Sequence, residues 1–336
     1  MTHVLRHARH TLCATAILAG LGLATSASAQ IAWDLANEYP QGSIHAMTAD
    51  TFIAAVHEAT GGAITITAHH GAALGFRSVD HFDAVGDGAI PVASSFGGTW
   101  AGIDPVFLIS SLPFLAASIE DNWALYQASK PYFEAVFEDA NQVFLFASPW
   151  PPSGLWGNKP LDSMEALRNY RIRTFDANGT VTLRAAGASP IQVSWADVVP
   201  QLSTGALEGV LTSADGGAAA QLWEHQSHFT EVNYAMPLQF THMNRDEYDM
   251  LSDELRAALH EAAAVAERQG WDMLAARVAE NYEAMVANGM TVVTDVSDEF
   301  LAALSEAASE SHAEWRNRFG ADNADALLAA FEAARN

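Results

Sequence analysis

Two separate β-α-β rhythms, parted by a segment rich in proline, glycine and tryptophan, leave few architectures open to this chain. In the first, Trp33 to Leu35 open an apolar stretch, and Glu38-Tyr39-Pro40-Gln41-Gly42-Ser43 reads as a loop. Ser43 then precedes helical spacing through Ala46, Ala49, Phe52, Ile53 and Val56, closed by Thr60-Gly61-Gly62. Ala63 to Ala68 alternates as a strand does, Val79 to Val85 is a further helix, and Ile90 to Ala93 is a short apolar run. The second rhythm follows the 149–160 segment. It has a strand at Tyr170 to Thr174, a turn at Asp176 to Gly179 and a helix at Thr180 to Ala186. A strand at Ile191 to Val193, a short helix at Trp195 to Leu202 and a strand at Leu207 to Thr212 complete it. This alternation is the signature of the α/β class. Pro237 to Met243 is spaced as a strand returning to the first unit. After Ser252, Leu255, Leu259, Ala262, Ala263, Ala266, Trp271, Leu274 and Val278 keep helical spacing over a length able to bridge two lobes.

The 336 residues exceed one ordinary core and suggest two domains. Residues 1–29 have the form of a secretory signal: Arg6 and Arg9, an apolar run from Leu12 to Ala24, and an Ala27-Ser28-Ala29 cleavage site. The run is short against the roughly 20 apolar residues of a membrane helix. The mature chain is therefore expected to start at Gln30 in the periplasm. The sole cysteine, Cys13, lies inside that leader, so disulfides, thiol catalysis and cysteine-ligated metals are excluded from the mature protein. The formal charge is −24, and loss of the two leader arginines leaves −26. Such a balance argues against nucleic acid or an anionic membrane as partner.

The block from Leu167 to Ser213 carries a more specific signal. Arg171-Ile172-Arg173 is followed by Gly187-Ala188-Ser189-Pro190, by Trp195-Ala196-Asp197-Val198, and by Gln201-Leu202-Ser203-Thr204-Gly205-Ala206-Leu207-Glu208-Gly209. In order and spacing this resembles the solute-binding proteins of TRAP (tripartite ATP-independent periplasmic) transporters. His45, Thr60-Gly61-Gly62, Leu74-Gly75, Gly86-Asp87-Gly88-Ala89-Ile90, Leu112-Pro113-Phe114 and Leu251-Ser252-Asp253-Glu254-Leu255 fall in family order. The resemblance spans nearly the whole mature chain. It implies a two-lobe periplasmic binding protein fold with hinge strands and a long helix across both lobes. Residues 30–149 and 238–278 would form lobe I, residues 150–237 and 279–310 lobe II, and 311–336 a C-terminal helical segment. It implies no chemistry and no cofactor. The ligand would be a small organic carboxylate, the partner a membrane permease driven by an ion gradient, and the binding protein a monomer.

Arg173 is the first candidate for ligand contact. Its planar guanidinium matches a carboxylate through two parallel hydrogen bonds, and the matching arginine of the family grips the ligand carboxylate. Arg171 is read as surface or hinge. Trp195 falls where the family places an aromatic at the cleft wall; the plain alternative is a core tryptophan. Thr212 and Ser213 stand where many relatives carry an Asn-Pro pair, so hydroxyls replace an amide. Asp215 is either a contact to a ligand amino or hydroxyl group or part of a glycine-rich turn. Some acid-sugar-binding relatives have a second arginine in the segment matching Pro151 to Leu155; here Ser153 stands among Trp150, Pro151, Pro152, Leu155 and Trp156. The lost charge and added rings suggest a ligand with one carboxylate and an apolar or aromatic remainder, such as a 2-oxo acid, unless the rings only pack between lobes. Glu38, Tyr39, Arg77, Ser94, Ser95 and Phe96 lie at strand ends facing the expected cleft, the place where ligands bind open α/β sheets. Arg77 would pair with either the ligand or Asp80.

His69-His70 and His81 invite a zinc reading, but adjacent strand residues point to opposite faces, and no H-E-x-x-H spacing exists. Neither a G-x-S-x-G elbow nor a Walker loop occurs. Two rival classes stay open: the binding protein of an ATP-driven importer, which shares the two-lobe plan, and a periplasmic enzyme using Asp197 or Asp215 as base.

Overall fold

The computed structural model describes residues 30–335. The expected leader and its cleavage site lie outside the described residues. Eleven strands occur there, in chain order β1 (Ile31–Asn37), β2 (Ile64–His69), β3 (Val92–Phe96), β4 (Gln142–Pro149), β5 (Ser153–Gly157), β6 (Arg171–Thr174), β7 (Ser189–Gln192), β8 (Gly209–Ser213), β9 (His228–Thr230), β10 (Leu238–Asn244) and β11 (Thr291–Val293). They form two sheets, β2-β1-β3-β10-β4 and β11-β9-β5-β8-β6-β7. In the first, β1 runs parallel to β2 and β3, while β10 returns antiparallel between β3 and β4. In the second, β6 runs parallel to β7 and β8, and β5 lies antiparallel between β8 and β9. Each sheet carries its own lobe, the two-lobe α/β plan of periplasmic binding proteins.

The chain passes between the sheets at 150–152 and back at 231–237. These passages lie side by side, because Trp150 N–H donates to the Pro237 carbonyl (2.8 Å), Ser153 N–H to Ala235 (2.9 Å) and Tyr234 N–H to Ser153 (2.9 Å). The third link is helical. The helix Asp253–Asp272, capped by the Ser252 hydroxyl, packs on the helix Ile44–Ala59 and on β4. Through Met273, whose backbone keeps right-handed helical angles (φ −77°, ψ −11°) and i→i−4 bonds on both sides, it leads into the helix Leu274–Ala287, which packs on the helix Ala214–Ala219 and β11. One helical run thus serves both lobes. Gly270 lies near its middle because a Cβ there would stand 2.8 Å from the Ser148 Cβ; β4 and the helix approach too closely for a side chain. Of the last two helices, Asp298–Phe319 packs on lobe II helix Ala177–Ala185 and on the lobe I turn Pro105–Ser111, and Ala321–Arg335 packs on lobe I helix Ile119–Asp139.

One local expectation changes. The segment Asp176 to Gly179, read as a turn, is the start of the helix Ala177–Ala185. Asp176 is its N-cap, its carboxylate accepting the Gly179 N–H at 2.9 Å. Aspartate and asparagine are as much at home in a helix cap as in a turn, and the cap prevails here.

Candidate ligand site between the lobes

The carboxyl ends of β1 and β3 in lobe I face those of β6 and β8 in lobe II. Between them lies a narrow slot with a cavity volume of about 20 Å³. That is room for about one water molecule, far below the roughly 300–1,000 Å³ of ligand pockets, so a ligand is admitted only as the lobes part. Tyr39 follows β1 and Phe96 ends β3. Arg173 lies on β6, paired with Ile191 of β7 and Val210 of β8. Ser153 and Ser213 pair across β5 and β8, with Thr212 beside them. Trp150 and Pro237 come from the two crossing passages. Trp195 and Phe175 complete the lining.

The rings form a nearly continuous apolar wall. Tyr39 meets Trp150 edge-on at 4.5 Å between centroids and lies 5.9 Å from Trp195; Phe96 meets Phe175 edge-on at 5.5 Å. Arg173 is held between two of them, its guanidinium 5.3 Å from the Trp195 ring centre and 6.0 Å from that of Phe175. It is 3% exposed. Nε donates to the Val193 carbonyl (2.9 Å) and Nη1 to the Leu211 carbonyl (3.3 Å). Among the described residues no carboxylate comes within 4.0 Å of its nitrogens, a distance twelve other ion pairs meet. Burial lowers its pKa from the ordinary value, and the Tyr39, Glu38 and Asp176 side chains oppose that fall from farther away. A buried cation lacking an ion-pair partner is costly, so the site is built to receive an anion. Burial likewise raises the Tyr39 phenol and keeps it neutral. The Ser153 and Thr212 hydroxyls also face the slot and suit the polar groups of a ligand.

Tyr39, Phe96, Trp150, Ser153, Arg173, Trp195, Thr212 and Ser213 therefore come together around one space. The remaining expected contacts go elsewhere. Trp156 is fully buried in lobe II, its indole N–H donating to the Ser213 carbonyl (3.3 Å) and its ring packed on Gly217 and Phe229. On β5 it alternates away from Leu155 and into the sheet packing. Ser94 accepts from the Gln239 amide (3.2 Å), and Ser95 lies between His81 (2.8 Å) and His242 (2.9 Å) in a buried lobe I network. Asp215 is inaccessible to a ligand: it accepts from Ile44 N–H (2.9 Å), Arg277 and Asn281. Arg77 pairs with neither the ligand space nor the Asp80 carboxylate, which accepts its backbone N–H; its guanidinium reaches Asp197 at 2.8 Å. That contact also occupies the carboxylate considered above as a possible base. Glu38 lines the outer mouth of the slot, but both its oxygens are engaged, by Ser78 N–H (2.9 Å) and Ala196 N–H (3.1 Å). The histidines of the zinc reading go to separate partners: His69 to Asp34, His70 to Asn37 and Asp50, and His81 to Ser95. Phe175 was not singled out from the sequence, although its place two residues beyond Arg173 was a usable signal, since alternate strand residues share a face.

The model of the family described as bacterial extracellular solute-binding protein, family 7, matches residues 35–318. The chain belongs to this family. Among solved structures, an extracytoplasmic solute receptor of Bordetella pertussis binding pyroglutamic acid superposes with a TM-score of 0.86 at 27% identity, covering 90% of this chain and 99% of that one. A marine metagenome TRAP solute-binding protein specific for pyroglutamate superposes at 0.85 with 31% identity and the same coverage. An uncharacterized protein of Salmonella typhimurium is 27% identical over 185 residues, 52% of this chain and 56% of that protein. As a TRAP solute-binding protein, the chain is an extracytoplasmic solute-binding component of a transporter, and the structural relatives named here bind a small carboxylate. TRAP solute-binding proteins work with membrane permease subunits, and the two solved members just described are binding proteins, not enzymes.

Proposed function

We propose that this TRAP solute-binding protein captures a compact monocarboxylate carrying a ring amide, the chemistry of pyroglutamate. The observation that carries this reading is Arg173: a buried guanidinium with unspent N–H donors, opening into a slot with no other cation in its lining. One carboxylate satisfies it through charge-assisted, paired bonds. The flat rings of Tyr39, Trp150 and Trp195 suit a flat five-membered ring. The hydroxyls of Ser153, Thr212 and Ser213 suit an amide, which both donates and accepts. The two relatives that bind pyroglutamate support the same chemistry. Apolar 2-oxo acids are a second reading, favoured by the five aromatic rings around the slot.

Calorimetry with pyroglutamate, branched-chain and aryl 2-oxo acids, succinate and glucuronate tests both. Pyroglutamate is expected to bind best and to raise Tm, as a ligand of the folded state must. Tight binding of succinate or glucuronate, with none of pyroglutamate or the 2-oxo acids, would refute the ligand reading. The proposal extends to export: cleavage after Ala29, a monomer in the periplasm beginning at Gln30, and delivery of its ligand to the permease. Amino-terminal sequencing that finds the leader intact on a membrane-bound protein contradicts the export part.

A further inference from the structure

Outside the aromatic slot the lobes touch at several places, among them the Ile44–Asp215 bond (2.9 Å), the Asn178–Leu108 bond (2.9 Å) and a short polar seam at the cleft mouth. On lobe I the seam consists of Glu38, Arg77 and Ser78. On lobe II it is the turn Ala196-Asp197, directly after the slot residue Trp195. Glu38 is anchored in its own lobe by Ser78 N–H (2.9 Å) and accepts Ala196 N–H from the other (3.1 Å). Beside it the Arg77 guanidinium reaches the Asp197 carboxylate at 2.8 Å. Their side chains are 43% and 37% exposed, so neither is locked into its place by packing. Neither lines the slot around Arg173.

The two contacts have a geometric condition. Each spans the cleft, and each exists only when the lobes approach to hydrogen-bonding distance. A ligand small enough to lie among the slot residues with the lobes nearly closed allows that approach. A bulkier acid, still able to reach Arg173, props the lobes apart and breaks both contacts.

We propose that the Arg77–Asp197 pair, with Glu38 beside it, is a size gauge: it adds binding strength only to ligands small enough to let the seam close. Arg77 and Asp197 are then positioning residues that set specificity without touching the ligand. The pair is exposed and is screened by salt. Its contribution is that of a surface ion pair, a roughly two- to five-fold effect on affinity for a small ligand. It appears in the dissociation rate, because the contact forms after the ligand has entered.

This inference rests on the pyroglutamate reading for its choice of probe, and its test separates the two. Nitroxide labels on Glu58→Cys in lobe I and Arg184→Cys in lobe II, both exposed positions, report the lobe separation by pulsed electron spin resonance. Cys13 falls within the leader, so these are the only thiols of a chain starting at Gln30. The closed fraction is expected to fall in Asp197→Asn and Arg77→Gln and in wild type at 1 M NaCl, screened as at about 3 Å Debye length. It should recover in the Arg77→Asp/Asp197→Arg exchange. In stopped-flow tryptophan fluorescence, Asp197→Asn should release pyroglutamate several-fold faster. Its affinity for glucuronate, bulkier and more polar, should stay as weak as that of wild type. Equal weakening for both acids overturns the gauge, as does an unchanged lobe separation in every variant. If wild type fails to bind pyroglutamate, the ligand reading falls alone, since the closed fraction of the ligand-free labelled proteins still decides whether the pair holds the seam.

Discussion

Two arginines of this protein lie in buried or half-buried settings and meet opposite fates. Arg277, on the helix Leu274–Ala287, is saturated. Nε and Nη2 donate to Asp215 (3.0 and 2.5 Å), Nη2 to the Gly42 carbonyl (3.1 Å) and Nη1 to Glu280 (3.2 Å). The Asp215 side chain is 0% exposed and also takes the Ile44 N–H, so this junction ties together lobe I, lobe II and the spanning helix. Arg173 is more deeply buried, yet among the described residues its hydrogen bonds go only to the Val193 and Leu211 carbonyls. A cation whose donors are spent within the protein holds the fold together. One whose donors are left over waits for something the chain does not supply.

The largest expected effect breaks the saturated member. Arg277→Ala strands the buried Asp215 carboxylate and should cost about 3–5 kcal/mol of folding stability, read as a drop in Tm and in the urea midpoint. A loss under 1 kcal/mol would mean that Ile44 and Asn281 alone satisfy Asp215. Next, Arg173→Ala should cost about 2–5 kcal/mol of ligand binding while leaving the stability of the ligand-free protein unchanged or higher. Arg173→Lys should rescue only part of the affinity, since an ammonium cannot reproduce the fork. A titration in which Arg173→Ala binds as wild type does removes the contrast altogether.

Asp176 sharpens the comparison, because it is a fully buried carboxyl that, after Glu38, acts as a distant counter-charge for Arg173. Burial raises its pKa from 3.8 to about 6, with the bond from Gly179 N–H and the charge of Arg173 working the other way. Folded Asp176 thus keeps a proton where the unfolded chain has lost it. Its contribution favours folding fully below pH 3.8 and is lost as pH rises through about 6. Asp176→Asn preserves the helix-cap oxygen and removes the charge. Stability at pH 8 should then rise by on the order of 2 kcal/mol, with little change at pH 4. Paired urea melts at the two pH values check this; a loss of stability at pH 8 would make Asp176 the true partner of Arg173. The smallest effect is expected at Arg171, on the same strand, exposed and paired with Glu208 at 3.2 Å. Arg171→Ala should change stability and ligand binding by under about 1 kcal/mol. A large loss of binding would move the anchor from Arg173 to Arg171.

Much of the fold was legible because its signals are local. Ser43, Ser118, Ser163, Ser252 and Ser297 cap helices with their own hydroxyls, and the alternation of Ala63 to Ala68 follows from strand geometry. The return of Pro237 to Met243 to the first sheet was readable from its apolar run, since β10 sits between β3 and β4. The long lobe-spanning helix was readable too, because its helical spacing continues through Trp271, Leu274 and Val278, and its i→i−4 bonds run on through Met273. In the site, the ring-bearing and hydroxyl-bearing ends of strands were visible, but their directions were not. Trp150 and Trp156 look alike in the sequence; one borders the slot and the other fills the lobe II core.

The amino-acid sequence by itself determined the α/β class, the two units and the family, because caps, periodicities and ordered motifs act over a few residues and survive any arrangement of the whole. Only the tertiary structure decided which charges are spent and which are free. Asp215 meets Ile44 from 171 positions away, and Arg77 meets Asp197 from 120. Such pairings depend on how two lobes close on each other, a distance that no local pattern along the chain encodes.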